Sequence, residues 1–227
     1  MKVRHSGVQC ISDAQDHGCV PELHILSISN HTQPVPPRMG RNRGLLDAMQ
    51  ISFWLVGLLF AVKAVEILLQ VSLDHYGIRP RDTHGLIGII FSPLLHAGGA
   101  HLVANATPLF VLLTVLFWDR KYKPGSTIAI IWLVSGVGTW ILGRGEFQGE
   151  LTVHIGASSL IYGLVSYLIV AGFRMESWRA IFIAIVVFAL YGGIFYGALP
   201  RDGLISWEGH LCGALAGAWT AFQQHRK

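Results

Sequence analysis

Serine is a poor nucleophile until a neighbouring base takes its proton, and histidine is the side chain best suited to do so near neutral pH. The 227-residue chain carries Ser158 in HIGASSLIYGLVSYL and His210 in GHLCGALAGAW. Each stands at the head of a long uncharged run, where a histidine is costly and generally has a purpose, whereas a serine taken alone is more often a helix-packing residue. A third segment, HAGGAHLVANATPLF, places His101 and Asn105 four residues apart, on one face of a helix. An imidazole N–H and an amide NH2 can both donate to the oxyanion of a tetrahedral intermediate, with the Ser158 backbone N–H as a third donor. Tyr162 follows Ser158 by four residues, so it lies near the same face and can pack on the His210 ring. The apolar runs holding these residues contain no Asp or Glu, so the expected unit is a Ser158–His210 dyad rather than a triad.

Such residues act together only if long apolar elements bring them to one level. The chain is 52% hydrophobic and 13% charged, about half the charge usual in a soluble domain, which points to a multi-pass membrane protein. Apolar runs recur at 51–73, 101–118, 126–142, 156–172, 180–199 and 209–223. Each can cross or nearly cross a hydrocarbon core of roughly 30 Å at about 1.5 Å per residue, the shorter ones if neighbours shield them. The stretch 84–100 is also apolar, but Pro93, Gly98, Gly99 and two histidines interrupt it, so a partly embedded loop is expected. Residues 1–44 read as a polar, mobile cytoplasmic tail, and 45–227 as the membrane domain. The tail does not read as a secretory signal peptide, which leaves targeting to the first span.

With six crossings, Lys2, Arg4, Arg38, Arg41, Arg43, Arg120, Lys121, Lys123, Arg174, Arg179, Arg226 and Lys227 share one side. Only Arg79, Arg81, Arg144 and Arg201 fall on the other. Basic residues favour the cytoplasm, so both termini are expected inside. The second, fourth and sixth runs then enter from the outer face, and His101, Asn105, Ser158 and His210 share roughly one depth. Gly209, Gly213 and Gly217 form a small-residue ridge beside His210, and Gly156, Ala157, Ser159 and Gly163 offer a matching face on the fourth run.

The three quoted segments resemble the signature segments of the rhomboid family of intramembrane serine proteases, in the same order over about residues 45–224. The resemblance implies an all-α, six-transmembrane-helix bundle with both termini inside. It places the nucleophile motif on Gly156–Ser159, the catalytic pair on Ser158 and His210, and the HxxxN pair on His101 and Asn105. It also matches His96 to an additional loop histidine and Tyr162 to a ring-stacking tyrosine. It implies cleavage of transmembrane protein substrates near the outer face of a bilayer, with substrate entering beside the second and fifth spans. No metal or cofactor is implied, and a bacterial inner membrane is the expected location. One position departs from the family pattern: the last glycine of GxSG is Ser159 here. Its hydroxyl can return to the helix backbone, or it can widen the contact between the fourth and sixth spans.

Other readings have less behind them. A silent rhomboid-like protein that binds transmembrane clients would not need Ser158 and His210, although Ser159 leaves that reading open. No HExxH supports a zinc protease, no second histidine pair supports haem, and no repeat supports a transporter. The charge of +4 follows from basic residues flanking spans and needs no nucleic acid. Cys10, Cys19 and Cys212 are too scattered for a disulfide framework, and Cys212 reads as a packing residue. Lys63 and Glu66, three apart in the first run, read as a mutually neutralising pair, His154 as an outer-interface residue and Ser166 as structural.

Overall fold

A computed structural model describes residues 44–200 and 206–226. The tail expected over 1–44 therefore lies outside the described residues but for Gly44. The first helix, α1, runs Leu45–Leu69 and ends at Gln70 in the left-handed region, φ 53°. Asp47 accepts the Gly44 N–H at 3.2 Å, which places an acidic group at the positive end of the helix. Lys63 and Glu66 pair at 2.9 Å within α1, as their spacing suggests. The same ammonium donates to the His96 carbonyl at 2.9 Å, and Glu66 accepts the Leu73 N–H at 2.9 Å. The pair thus ties both ends of the following loop to α1.

That loop is the interrupted apolar stretch. It folds as 3-10 turns at Thr83–Ile87 and Ser92–Leu94 around a single α turn, α2, Gly88–Phe91. Next come α3, Gly99–Trp118, and α4, Pro124–Leu142, whose first residue is a proline, placed where a missing N–H costs nothing. A two-stranded hairpin follows, β1 Glu146–Phe147 and β2 Glu150–Leu151. Gln148 and Gly149 both have positive φ (54° and 84°), as a tight two-residue connection between right-twisted strands requires. Then follow α5, Ser158–Arg174; α6, Trp178–Tyr191, extended by a 3-10 segment Gly192–Ala198; and α7, Trp207–Gln224.

The helix α5 is the axis of the molecule. Eleven of its 17 residues are buried, and its neighbours include α3, α4, α6 and α7. Leu112, Leu116, Ile131, Leu164, Tyr167 and Leu168 form the centre of the core. Outward-facing side chains such as Phe53, Trp54, Leu68, Phe182 and Leu190 are large, apolar and exposed, as on a surface solvated by lipid. Among the described residues four segments are long and apolar enough to cross a membrane: 45–69, 99–118, 120–142 and 178–198. The helices bearing Ser158 and His210 are not among them. The first is short and wrapped by its neighbours, and the second carries Glu208, His210, Gln223 and Gln224.

Glycines set how closely α5 and α7 approach. A Cβ at Gly213 would collide with the Ser159 carbonyl, and one at Gly217 with the Gly163 carbonyl and the Ser166 hydroxyl. Ser166 donates across the contact to the Ala214 carbonyl at 2.7 Å, a structural use of its hydroxyl. Gly209 departs from the expected ridge. Its nearest neighbours are Ser206 Oγ and Thr139 Oγ1 of α4, so it turns away from α5. Helical spacing puts the three glycines on one stripe, but the crossing of two helices brings only part of that stripe into contact.

Candidate active site

Ser158 is the first residue of α5 and His210 lies in the first turn of α7. The close packing of the two helices brings Ser158 Oγ to 3.0 Å from His210 Nε2. The other ring nitrogen, Nδ1, lies 2.9 Å from the Gly197 carbonyl. A carbonyl can only accept, so Nδ1 carries a proton, and in the neutral ring Nε2 is then the acceptor of the Ser158 O–H. Tyr162 stacks on the imidazole with ring centroids 4.1 Å apart and 12° between planes. The Tyr162 ring is in turn met edge-on by Phe195 at 6.5 Å. The imidazole is thereby fixed in position, orientation and tautomer.

Gly156 has φ +111°, a backbone state that disfavours any side chain. A Cβ there would sit 2.8 Å from His101 Cε1, 3.0 Å from His101 Nε2 and 3.9 Å from Asn105 Nδ2. The turn before Ser158 is thus drawn against the two donors on α3. Asn105 is buried and spends one amide hydrogen on the His101 carbonyl at 2.9 Å, leaving the second for a ligand. The turn is also held from below: Gly156 N–H donates to the Ser92 carbonyl at 2.8 Å, and Ala157 N–H points to His96 Nε2 at 3.5 Å. His96 is 1% exposed and meets the His101 ring edge-on at 5.2 Å. Burial, then the nearby His101, hold the His96 pKa down to about 4.

Ser158, His210, His101, Asn105 and Tyr162 all line one cavity of roughly 700 Å³. Ala97, Ala104, Pro108, Ile155, Ile161 and Ile194 give it apolar walls, and Arg144, Glu150 and His154 add polar groups. Ser159 is not among the residues that line this cavity, and its carbonyl faces Gly213. Gly213 and Gly217 act through packing, and Gly209 faces α4. Among the described residues no group of three or more His, Cys, Asp or Glu side chains could hold a metal ion.

Three features lie beyond what residue spacing suggests. A carboxylate does fall in α7: Glu208 occupies its first turn and is 5% exposed, but it pairs with Arg144 at 3.2 Å. The apolar run seemed to start at Gly209 only because a charge precedes it. His154, expected at the outer interface, is 4% exposed and hydrogen-bonded on both ring nitrogens. The acceptor for His210 Nδ1 is a backbone carbonyl in a 3-10 segment, for which no side-chain pattern is a signal.

Residues 83–227 match the family model described as the Rhomboid domain. Uncharacterized proteins of Mycobacterium bovis and Mycobacterium tuberculosis are each 43% identical over 170 residues, covering 74% of this chain and 71% of the relative. An uncharacterized protein of Mycobacterium leprae is 38% identical over 181 residues, covering 74% of this chain and 72% of the relative. No solved structure matches the chain.

Proposed function

The chain belongs to the rhomboid family, and on that premise we propose that it is an intramembrane serine endopeptidase. The 3.0 Å approach of Ser158 Oγ to His210 Nε2, with Nδ1 held by the Gly197 carbonyl, is the observation that carries this reading. A helix of the substrate unwinds into the cavity beside α3 and α6. Ser158 Oγ attacks a peptide carbonyl carbon as its proton passes to His210 Nε2. The oxyanion is met by the Ser158 N–H, His101 and the second Asn105 hydrogen, donors already in place before charge develops. The C–N bond then breaks, His210 protonates the leaving amine, and the acyl group remains on Ser158. Water attacks this ester, gives its proton to His210, and releases the acid and the free serine.

The topology proposed with this mechanism has six crossings, α1, α3, α4, α5, α6 and α7, with both chain ends in the cytoplasm. The polar segment before α1 is the cytoplasmic tail, and residues 45–227 are the membrane domain. Ser158 and His210 then lie near the outer face of a bacterial inner membrane, where water can reach them. The molecule is an integral membrane protein; its partners in this reading are single-span membrane proteins and the bilayer, with no cofactor.

The experiment uses the protein in liposomes with a single-span reporter whose outer membrane segment contains helix-breaking residues. The expected result is two fragments with the wild type and none with Ser158→Ala. A reporter that remains whole with both, yet co-purifies with the folded protein, would instead favour a client-binding role, the reading that Ser159 leaves open.

A further inference from the structure

Two contacts outside the Ser158–His210 pair join the α4–α5 connection to the first turn of α7. Arg144 Nε lies 3.2 Å from Glu208 Oε1. His154 Nδ1 lies 2.5 Å from Ser206 Oγ, and His154 Nε2 lies 3.1 Å from the Arg144 carbonyl. The carbonyl requires the ring proton on Nε2, so the Ser206 hydroxyl donates to Nδ1. Both contacts therefore have a fixed direction.

One end of this assembly is anchored. Ile78 and His154 exchange backbone hydrogen bonds at 3.0 and 2.9 Å, and Arg81 donates to the Ile141 and Gly143 carbonyls at 3.0 and 2.7 Å. At Gly143 there is no room for a side chain, since a Cβ would lie 2.8 Å from Pro80 Cγ and 3.0 Å from His154 Nε2. The other end is the start of α7. Glu208 precedes His210 by two residues, and the Ser206 carbonyl accepts the His210 N–H at 3.2 Å. Arg144, His154 and Ser206 also line the cavity that holds Ser158. The second Glu208 oxygen is buried without a hydrogen-bond partner among the described residues. A buried ion pair is by itself a weak source of stability, and its best-attested use is to fix register.

We propose that the Arg144–Glu208 pair and the His154–Ser206 bond form a latch that sets the first turn of α7 and so keeps His210 in register with Ser158. This rests on the hydrolase reading above. The latch residues are positioning residues acting through the backbone of α7. The His210 ring itself is held by two other elements, through the Gly197 carbonyl of the 3-10 segment and the Tyr162 ring of α5.

Two readouts on the full-length protein in detergent test the latch. The first is the rate of fluorophosphonate labelling, resolved into probe affinity and maximal rate, for wild type, Arg144→Gln, Glu208→Gln and the swap Arg144→Glu/Glu208→Arg. The expected result is a maximal rate lowered between about tenfold and a hundredfold in each single variant, at unchanged affinity, because a small misplacement of the base is enough. The swap recovers part of the loss. The second is hydrogen exchange of the peptide spanning 206–212, expected to quicken in the single variants while α5 stays protected. A Glu208→Gln variant that labels at the wild-type rate with unchanged exchange would overturn the latch. So would a swap no better than the singles, or label appearing on Ser206. If the folded wild type takes no label at all, the hydrolase reading fails, and hydrogen exchange still decides the latch.

Discussion

The serine pair Ser158–Ser159 divides into two functions because of where α5 begins. Ser158 opens the helix and faces the cavity, whereas the Ser159 carbonyl lies under Gly213. Ser159→Gly is therefore expected to leave the labelling rate of Ser158 within about twofold, a change too small to register as lost transition-state stabilisation. Tyr162→Phe keeps the stacked ring and is expected to retain most of the activity, whereas Tyr162→Ala frees the imidazole and lowers the maximal rate. At His96 burial and the nearby His101 lower the folded-state pKa to about 4. Between pH 4 and the ordinary histidine value the unfolded chain binds the extra proton, so stability rises with pH across that window. It is complete above about pH 7 and lost toward pH 4, an effect of about 3 kcal/mol. Thermal unfolding at several pH values checks this, with a flatter slope expected in His96→Gln. At this scale the residues that meet in the cavity, Ser158, His210, His101 and Asn105, were legible from residue type and spacing as the proposed nucleophile, base and donors. The Gly197 carbonyl was not, because every residue has one.

The helices were legible as apolar runs, but their ends were less so. Runs were cut at charges, which hid Glu208 from α7, and 180–199 read as one span although its last turns are 3-10. The small-residue stripe announced a close helix contact, yet spacing alone could not show that Gly209 turns to α4 while Gly213 and Gly217 meet α5. Lys63–Glu66 was readable as a pair; that its lysine also holds the His96 carbonyl depends on a loop whose path no local pattern fixes. Gly213→Ala is expected to lower stability by about 1–3 kcal/mol, since the added methyl meets backbone rather than a movable side chain. Gly57→Ala, with open space around it, is the control and is expected to be neutral or slightly stabilising. Thermal midpoints of the two variants in one detergent separate the cases.

For the molecule as a whole, charge asymmetry and composition indicated a helical membrane protein with its functional residues at one level. The fold explains why two of its helices fall short by length or polarity. The short α5 is packed among α3, α4, α6 and α7 and so faces protein more than lipid, whereas α7, polar near both ends, packs on α4 and α5 and leaves Leu215, Trp219 and Phe222 exposed on its outer face. The proposed orientation has its own test. In a variant without native cysteines, Glu150→Cys on the hairpin is expected to react with an impermeant maleimide added outside cells, and Lys121→Cys is expected to stay protected until the cells are opened.

The most direct measurement is to treat the folded, purified protein with a fluorophosphonate and locate the adduct by peptide mass spectrometry, with Ser158→Ala, Ser159→Ala and His210→Ala alongside. Label on Ser158, kept in Ser159→Ala and lost in His210→Ala, is the expected result. Label on Ser159, label on Ser158 indifferent to His210, or no label while an active rhomboid reacts in parallel would contradict a Ser158–His210 hydrolase.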